Sequence, residues 1–215
     1  MKTFRILSAL LCYPEAPLLA ALPDFPDILL AENALSAPLR QRLFDFIDDL
    51  GAQPLLDAQE RYVALFDRNR SLSLHIYEHV HGESRDRGQA MVRLAEMYRL
   101  HGLVIGAAEL PDYLPLFLEF LSNVPDRAAR SLLADAVHVV AALEAKLRDR
   151  NSPYAAVLAA VAALAARPAA EHLVNEALAT LPEAADDFAT LDRQWTDEAV
   201  RFAANDTPEL AACKG

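Results

Sequence analysis

Apolar side chains recur along this chain with the 3.6-residue period of an α-helix, and prolines, glycines and small polar residues cut the pattern into lengths. Between Ser36 and Gly51, Leu39, Leu43, Phe46, Ile47 and Leu50 share one face; Ser36 is placed to cap the start and Gly51 to stop the end. From Pro54 to Phe66 the face is Leu55, Tyr62, Val63 and Phe66, and the polar run DRNRS from Asp67 ends it. Arg87 to Leu100 repeats the pattern through Met91, Leu94, Ala95 and Tyr98, before Gly102 and Gly106 loosen the chain. The longest expected helix runs from Asp126 to about Arg150 on a stripe of Leu133, Val137, Val140, Leu143 and Leu147. Lys146, Arg148 and Arg150 suit the negative end of its dipole. Ser152 and Pro153 supply a cap and a first turn for the next helix, and two more are expected near Ala169 to Ala179 and Pro182 to Ala204.

Composition narrows the fold. With 215 residues, 53% of them hydrophobic and only six glycines, the chain has material for a sizeable core and little for hairpins or glycine-rich phosphate loops. The expectation is an all-α fold: a single irregular helical bundle over residues 1–204, followed by a disordered tail over 205–215. Twenty basic against thirty-one acidic residues leave a net charge of −11. Such an exterior repels nucleic acid and anionic membranes and suits a basic partner. Cys12 and Cys213 stand near opposite ends, a placement that suits a reducing cytoplasm better than a disulfide. The opening MKTFRILSALLCYP has the outline of a lipoprotein signal, but bulky Leu11 precedes Cys12 where a small residue belongs, and an amphipathic helix stopped by Pro14 is expected instead. The charge-free run Pro153 to Ala166 is shorter than the roughly 20 residues of a membrane span, so no transmembrane segment is expected.

Three stretches carry candidate chemistry. In HIYEHVHGESRDR, His75, Glu78 and His79 spell HxxEH, the inverted zincin motif, in which two histidines a turn apart hold zinc and the glutamate acts as base. This gives the alternative reading of a zinc-dependent hydrolase, with Glu144 as a possible third ligand and His81 close by. Against it stands a structural reading, with the histidines capping helix ends and Glu83, Arg85, Asp86 and Arg87 forming an ionic network at a bend. In ELPDYLPLFLEFLS, Tyr113, Leu114, Leu116, Phe117, Leu118, Phe120 and Leu121 surround a helix on nearly every side, which makes it either a core helix or one half open to a partner. The interleaved Glu109, Asp112 and Glu119 suit a peptide carrying Arg or Lys. In YVALFD, Tyr62, Leu65 and Phe66 form an ordinary helix face. There is no GxGxxG, Walker loop, GxSxG or CxxC.

Together YVALFD, LSLHIYEHVHGESRDRGQAM and ELPDYLPLFLEFLS resemble the NarJ family of nitrate reductase molybdenum cofactor assembly chaperones, also called the nitrate reductase delta subunit, over most of the chain to about Arg150. The wider group of redox-enzyme maturation chaperones shares YxxLF and ExPDH segments, similar to Tyr62, Leu65 and Phe66 and to Glu109, Pro111, Asp112 and Tyr113; Tyr113 stands where the wider group has histidine. The resemblance implies a cytoplasmic, all-helical chaperone rather than an enzyme. It would bind the N-terminal peptide of the catalytic (alpha) subunit of a respiratory nitrate reductase and assist insertion of bis-molybdopterin guanine dinucleotide before membrane assembly. No cofactor would be bound permanently, cofactor-delivery proteins would be further partners, and the chain would be a monomer or weak homodimer. The groove expected to seat the peptide is built from the Tyr62 to Phe66 helix, the His75 to Arg87 bend and the Glu109 to Glu119 helix, with Tyr62, Leu65, Phe66, His75, His79, Glu83, Arg85, Glu109, Pro111, Asp112, Tyr113, Phe117 and Glu119 as its peptide-binding residues and no catalytic or metal-binding residue among them.

Overall fold

The computed structural model of the chain describes residues 1–81, 85–106 and 109–181, with the side chains of residues 80, 81 and 85 left aside. The expected helix over Pro182 to Ala204 and the expected tail lie outside the described residues. The first helix, α1 (Lys2–Leu10), places Phe4, Leu7 and Leu10 on one face, and all three are completely buried. The short α2 (Ala16–Ala21) and a 3₁₀ turn lead into α3 (Phe25–Glu32), which ends at Asn33 in the left-handed conformation, φ 47° and ψ 38°. Glu32 then reaches across to the start of α1. Its carboxylate accepts the N–H of Lys2 at 2.8 Å and of Thr3 at 2.6 Å, together with the Thr3 hydroxyl. Free N–H groups and the positive end of a helix dipole make that position favourable for an anion.

Helix α4 (Ala37–Ala52) begins where the sequence places it, after Ser36, and buries Leu43, Phe46, Ile47 and Leu50. Gly51 does not stop it. The helix continues to Ala52 and ends at Gln53 with φ −89° and ψ 148°, because the residue before a proline, here Pro54, is pushed out of helical geometry. Helix α5 (Leu55–Tyr62) passes into one turn of π-helix over Val63–Asp67, closed by the Arg68 N–H on the Val63 carbonyl at 3.0 Å. The later helices are α6 (Ile76–His81), α7 (Arg85–Leu100), α8 (Leu114–Asn123), α9 (Asp126–Asp149), α10 (Ala155–Ala163) and α11 (Glu171–Thr180).

Two helices lie within the core with little exposed surface. The apolar α8 lies between α1 and α9 and buries Leu114, Pro115, Phe117, Leu118, Phe120 and Leu121. The alanine-rich α10, which has no polar face, packs on α9, α4 and α1. A helix that is apolar all round is stable in water only when other helices cover it. Helix α6 crosses α9 beside α7, and α11 rests on α9 and α6. The fold is all-α, and among the described residues the one β-type pairing is an isolated bridge between His75 and Tyr113. No helix among those residues is long and apolar enough to cross a membrane.

Leu118 has no exposed surface, so Leu118→Ala is expected to cost about 2–5 kcal/mol through lost burial and a residual cavity. Leu56→Ala, at a side chain 73% exposed, is expected to stay within about 0.5 kcal/mol. Urea unfolding of both variants checks the contrast.

Candidate functional site

Pro111 and Asp112 form a turn ahead of α8, closed by the Tyr113 N–H on the Leu110 carbonyl at 3.1 Å, and the residues leaving it lie alongside Leu74 to Ile76. The Ile76 N–H donates to the Asp112 carbonyl at 3.0 Å and the Leu114 N–H to the Leu74 carbonyl at 2.8 Å. This pairing sets the Asp112 carboxylate at the start of α6. There it meets His75 Nδ1 at 3.1 Å, the backbone N–H of Tyr77, and Arg87 Nη2 from α7 at 3.5 Å. Asp112 has no solvent exposure, and a carboxylate so placed is tolerable only when paired and hydrogen-bonded. Burial pushes its pKa up, but the His75 hydrogen bond and charge, Arg87 and the Tyr77 N–H outweigh burial and hold it below the ordinary 3.8. The Tyr98 hydroxyl fastens the same segment by donating to the Pro111 carbonyl at 2.8 Å.

His75, Glu78 and His79 are each committed elsewhere than to a shared metal. His75 precedes the first residue of α6 and gives Nδ1 to Asp112. His79 is 5% exposed and its Nε2 lies 2.6 Å from the Ser73 carbonyl, which only accepts, so Nε2 carries the proton. Burial lowers the His79 pKa, and the opposing pull of Ser73 and Glu78 does not restore it, so the imidazole stays neutral more readily than a free one. Glu78 accepts the Ser73 hydroxyl at 2.8 Å and Arg70 at 3.2 Å. Among the described residues no three His, Cys, Asp or Glu side chains are grouped to hold a metal ion. These contacts make His75, Glu78 and His79 part of the junction between α6 and the segments beside it.

The aromatic residues of YVALFD and the α8 stretch face inward. Tyr62, Phe66 and Phe117 are 3%, 6% and 5% exposed and belong to the main core, where Tyr62 and Phe66 pack with Tyr154. The Tyr62 hydroxyl spends its single proton on the Leu11 carbonyl at 2.9 Å, so Tyr113 is the donor in the 3.0 Å contact between the two phenols. Leu65, His75, Pro111 and Tyr113 are half-buried, and Glu109 and Glu119 are exposed. Among the described residues these aromatics wall no open cleft, because α8 lies buried between α1 and α9. Glu83 lies outside the described residues; Arg85 begins α7, but its side chain is not described.

The structure shows an opening on a neighbouring face. A hollow of about 280 Å³ lies between α6, α7, α8 and α9, lined by Ile76 and Tyr77, Leu94 and Met97, Phe117, and Leu132, Asp135, Ala136, His138 and Val139. Among the described residues, Phe117 is the one from the sequence-predicted set that reaches it. It is mostly apolar, with Asp135 at its edge, and is smaller than the roughly 300–1,000 Å³ usual for a small-molecule site. Its size matches a few inserted side chains. The sequence signal for it is a second stripe on α9, Leu132, Ala136 and Val139, spaced by four and three beside the core stripe.

Asp112→Ala leaves Arg87 and His75 without their buried partner and is expected to cost about 3–5 kcal/mol. The pKa shifts of Asp112 and His79 both reduce stability in acid. The unfolded chain takes up protons first, so stability complete above 6.5 is lost as pH falls through the lowered His79 value, and a second loss follows below 3.8 as Asp112 is protonated. Urea midpoints measured from pH 8 to pH 5 check the first window, and His79→Gln is expected to flatten the slope there.

Comparison with known proteins agrees with the resemblance that the motifs carry. Residues 32–160 match the family model described as nitrate reductase delta subunit. The chain is 42% identical over 205 residues to the nitrate reductase molybdenum cofactor assembly chaperone NarJ of Escherichia coli (strain K12), covering 93% of this chain and 84% of that protein. It is 40% identical over 202 residues to the probable nitrate reductase molybdenum cofactor assembly chaperone NarW of the same strain, covering 94% and 84%. It is 32% identical over 156 residues to the probable nitrate reductase molybdenum cofactor assembly chaperone NarJ of Bacillus subtilis (strain 168), covering 73% and 84%. By its matched core and by these identities, the chain belongs to the nitrate reductase delta subunit family.

Proposed function

We propose that the chain is a cytoplasmic chaperone for the maturation of a respiratory nitrate reductase. It binds the N-terminal segment of the apo catalytic subunit, keeps that subunit competent to receive bis-molybdopterin guanine dinucleotide, and leaves before the enzyme is assembled at the membrane. The observation that carries this reading is the 42% identity over 205 residues to a protein named as a nitrate reductase molybdenum cofactor assembly chaperone. The molybdenum cofactor is cargo in this account, delivered to the partner. This chain's own residues perform no bond-making step.

The hollow between α6 and α9 is the seat assigned to the client segment. A short amphipathic helix places side chains of neighbouring turns on one face, so two or three of them enter the hollow while the rest lie along α9. Met97 is an adaptable wall for such side chains, and Asp135 at the edge takes a lysine or arginine of the guest. Asp112 contributes indirectly, because its contacts hold α6 and α7 at the spacing that keeps the hollow open. Glu109 and Glu119 lie near Cys12 on another side of α8; with Glu15 they oppose ionisation of the thiol, whose pKa burial first and these carboxylates next push up to about 11. Together with the net charge of −11, they steer a basic partner toward the protein at long range.

Calorimetry with the client's N-terminal peptide tests the seat. Leu132→Asp, at a half-buried side chain that lines the hollow and packs against the core, is expected to weaken binding at least about tenfold, or about 1.4 kcal/mol, in protein that thermal unfolding shows to be folded. Unchanged affinity would exclude this face. Cells lacking the chain are expected to accumulate catalytic subunit poor in molybdenum by elemental analysis.

A further inference from the structure

We propose that residues 167–180 are a built-in substitute for the client: Arg167 occupies Asp135 and α11 covers the adjoining surface of α6 and α9 until a client displaces them. The inference rests on the client-binding reading above and adds its regulation.

Asp135, the acid at the edge of the client hollow, is already paired, with Arg167 Nη2 3.3 Å from its Oδ1. A few residues on, α11 lies over a second hollow of about 210 Å³, lined in part by His79, His138, Val139, Leu173 and Thr180. His138 and Val139 line both hollows, so the two adjoin along α9, with Arg167 on the acid of the first and α11 over the second. A cation followed by a short amphipathic helix is also the pattern that the hollow and its acid suit in a guest.

The fastening of this segment is light, as a displaceable cover requires. Ala177 is the single buried residue within α11, and with Leu181 and Ala142 it forms a small cluster apart from the main core. Space remains beneath the helix, and Leu173 is 37% exposed. The Thr180 hydroxyl has its shorter bond to the Ala177 carbonyl of its own helix at 2.8 Å and lies 3.2 Å from the His79 carbonyl, and the Arg167–Asp135 pair is exposed on both sides, where an ion pair adds little stability. The contrast with α8, whose six buried residues anchor the core, marks α11 as the helix that a guest can replace. A cover that is closed most of the time reduces apparent affinity by the fraction of molecules left open.

The test uses the full chain, a synthetic peptide of the N-terminal segment of a nitrate reductase catalytic subunit, calorimetry, and amide hydrogen exchange read over α11. Ala177→Glu drives a charge into the small cluster and is expected to remove protection from α11 and tighten peptide binding at least about fivefold. Arg167→Ala is expected to tighten it less. Peptide added to the unaltered protein is expected to deprotect α11 as well. Retained protection in Ala177→Glu, or a released α11 with unchanged affinity, would overturn the substitute while leaving client binding intact. Absence of peptide binding by both the unaltered and the altered protein would remove the two proposals together.

Discussion

One buried carboxylate determines how the working half of this bundle is put together. Asp112 belongs to the segment that feeds α8, yet its side chain takes the N-terminus of α6 through His75 and the Tyr77 N–H, and reaches α7 through Arg87. Three parts of the chain thus meet on a group with no access to water. A charge in that position commits its partners to one geometry, because leaving any of them unpaired is more costly than the pairing gains. Glu32 does the same at lower stakes for α1, which it caps from the end of α3. Acids that cap helices distant in sequence tie together a bundle whose short helices offer little contact area of their own.

The second constraint is the apolar surplus of α8 and α10. Both need cover on all sides, and α1, α4 and α9 supply it. That arrangement buries the aromatic side chains of the central stretch, and two hollows form where α6, α7 and α11 meet α9. The opening assigned to the client follows from this: it forms where the tightly packed helices end and the junction built on Asp112 begins.

Much of this could be read from the sequence, and the failures have physical causes. The 3.6-residue period located α4, α7 and α9 to within a few residues, since each keeps a polar face that makes the pattern visible. The all-round apolarity of Leu114 to Leu121 left core helix and open groove as equal readings, because periodicity disappears when every side of a helix is buried; the structure makes it a core helix. HxxEH suggested zinc because one-dimensional spacing does not show that His79 turns to the Ser73 carbonyl and His75 to Asp112. Asp112 read as a surface acid among aromatics for the same reason, since its partners His75 and Arg87 come from other segments. Gly51 read as a helix stop, whereas Pro54 decides the end. The hollow itself depended on a minor stripe of α9 that only the neighbouring helices make significant.

Amide hydrogen exchange of the full chain, with and without the client's N-terminal peptide, tests the location of the seat most directly. The account predicts added protection at Ile76 and Tyr77, around Leu94 to Met97 and across Leu132 to Val139, three of the four walls of one hollow. Protection confined to the exposed loop after α7, or to the surface carrying Glu15, Glu109 and Glu119, would contradict it.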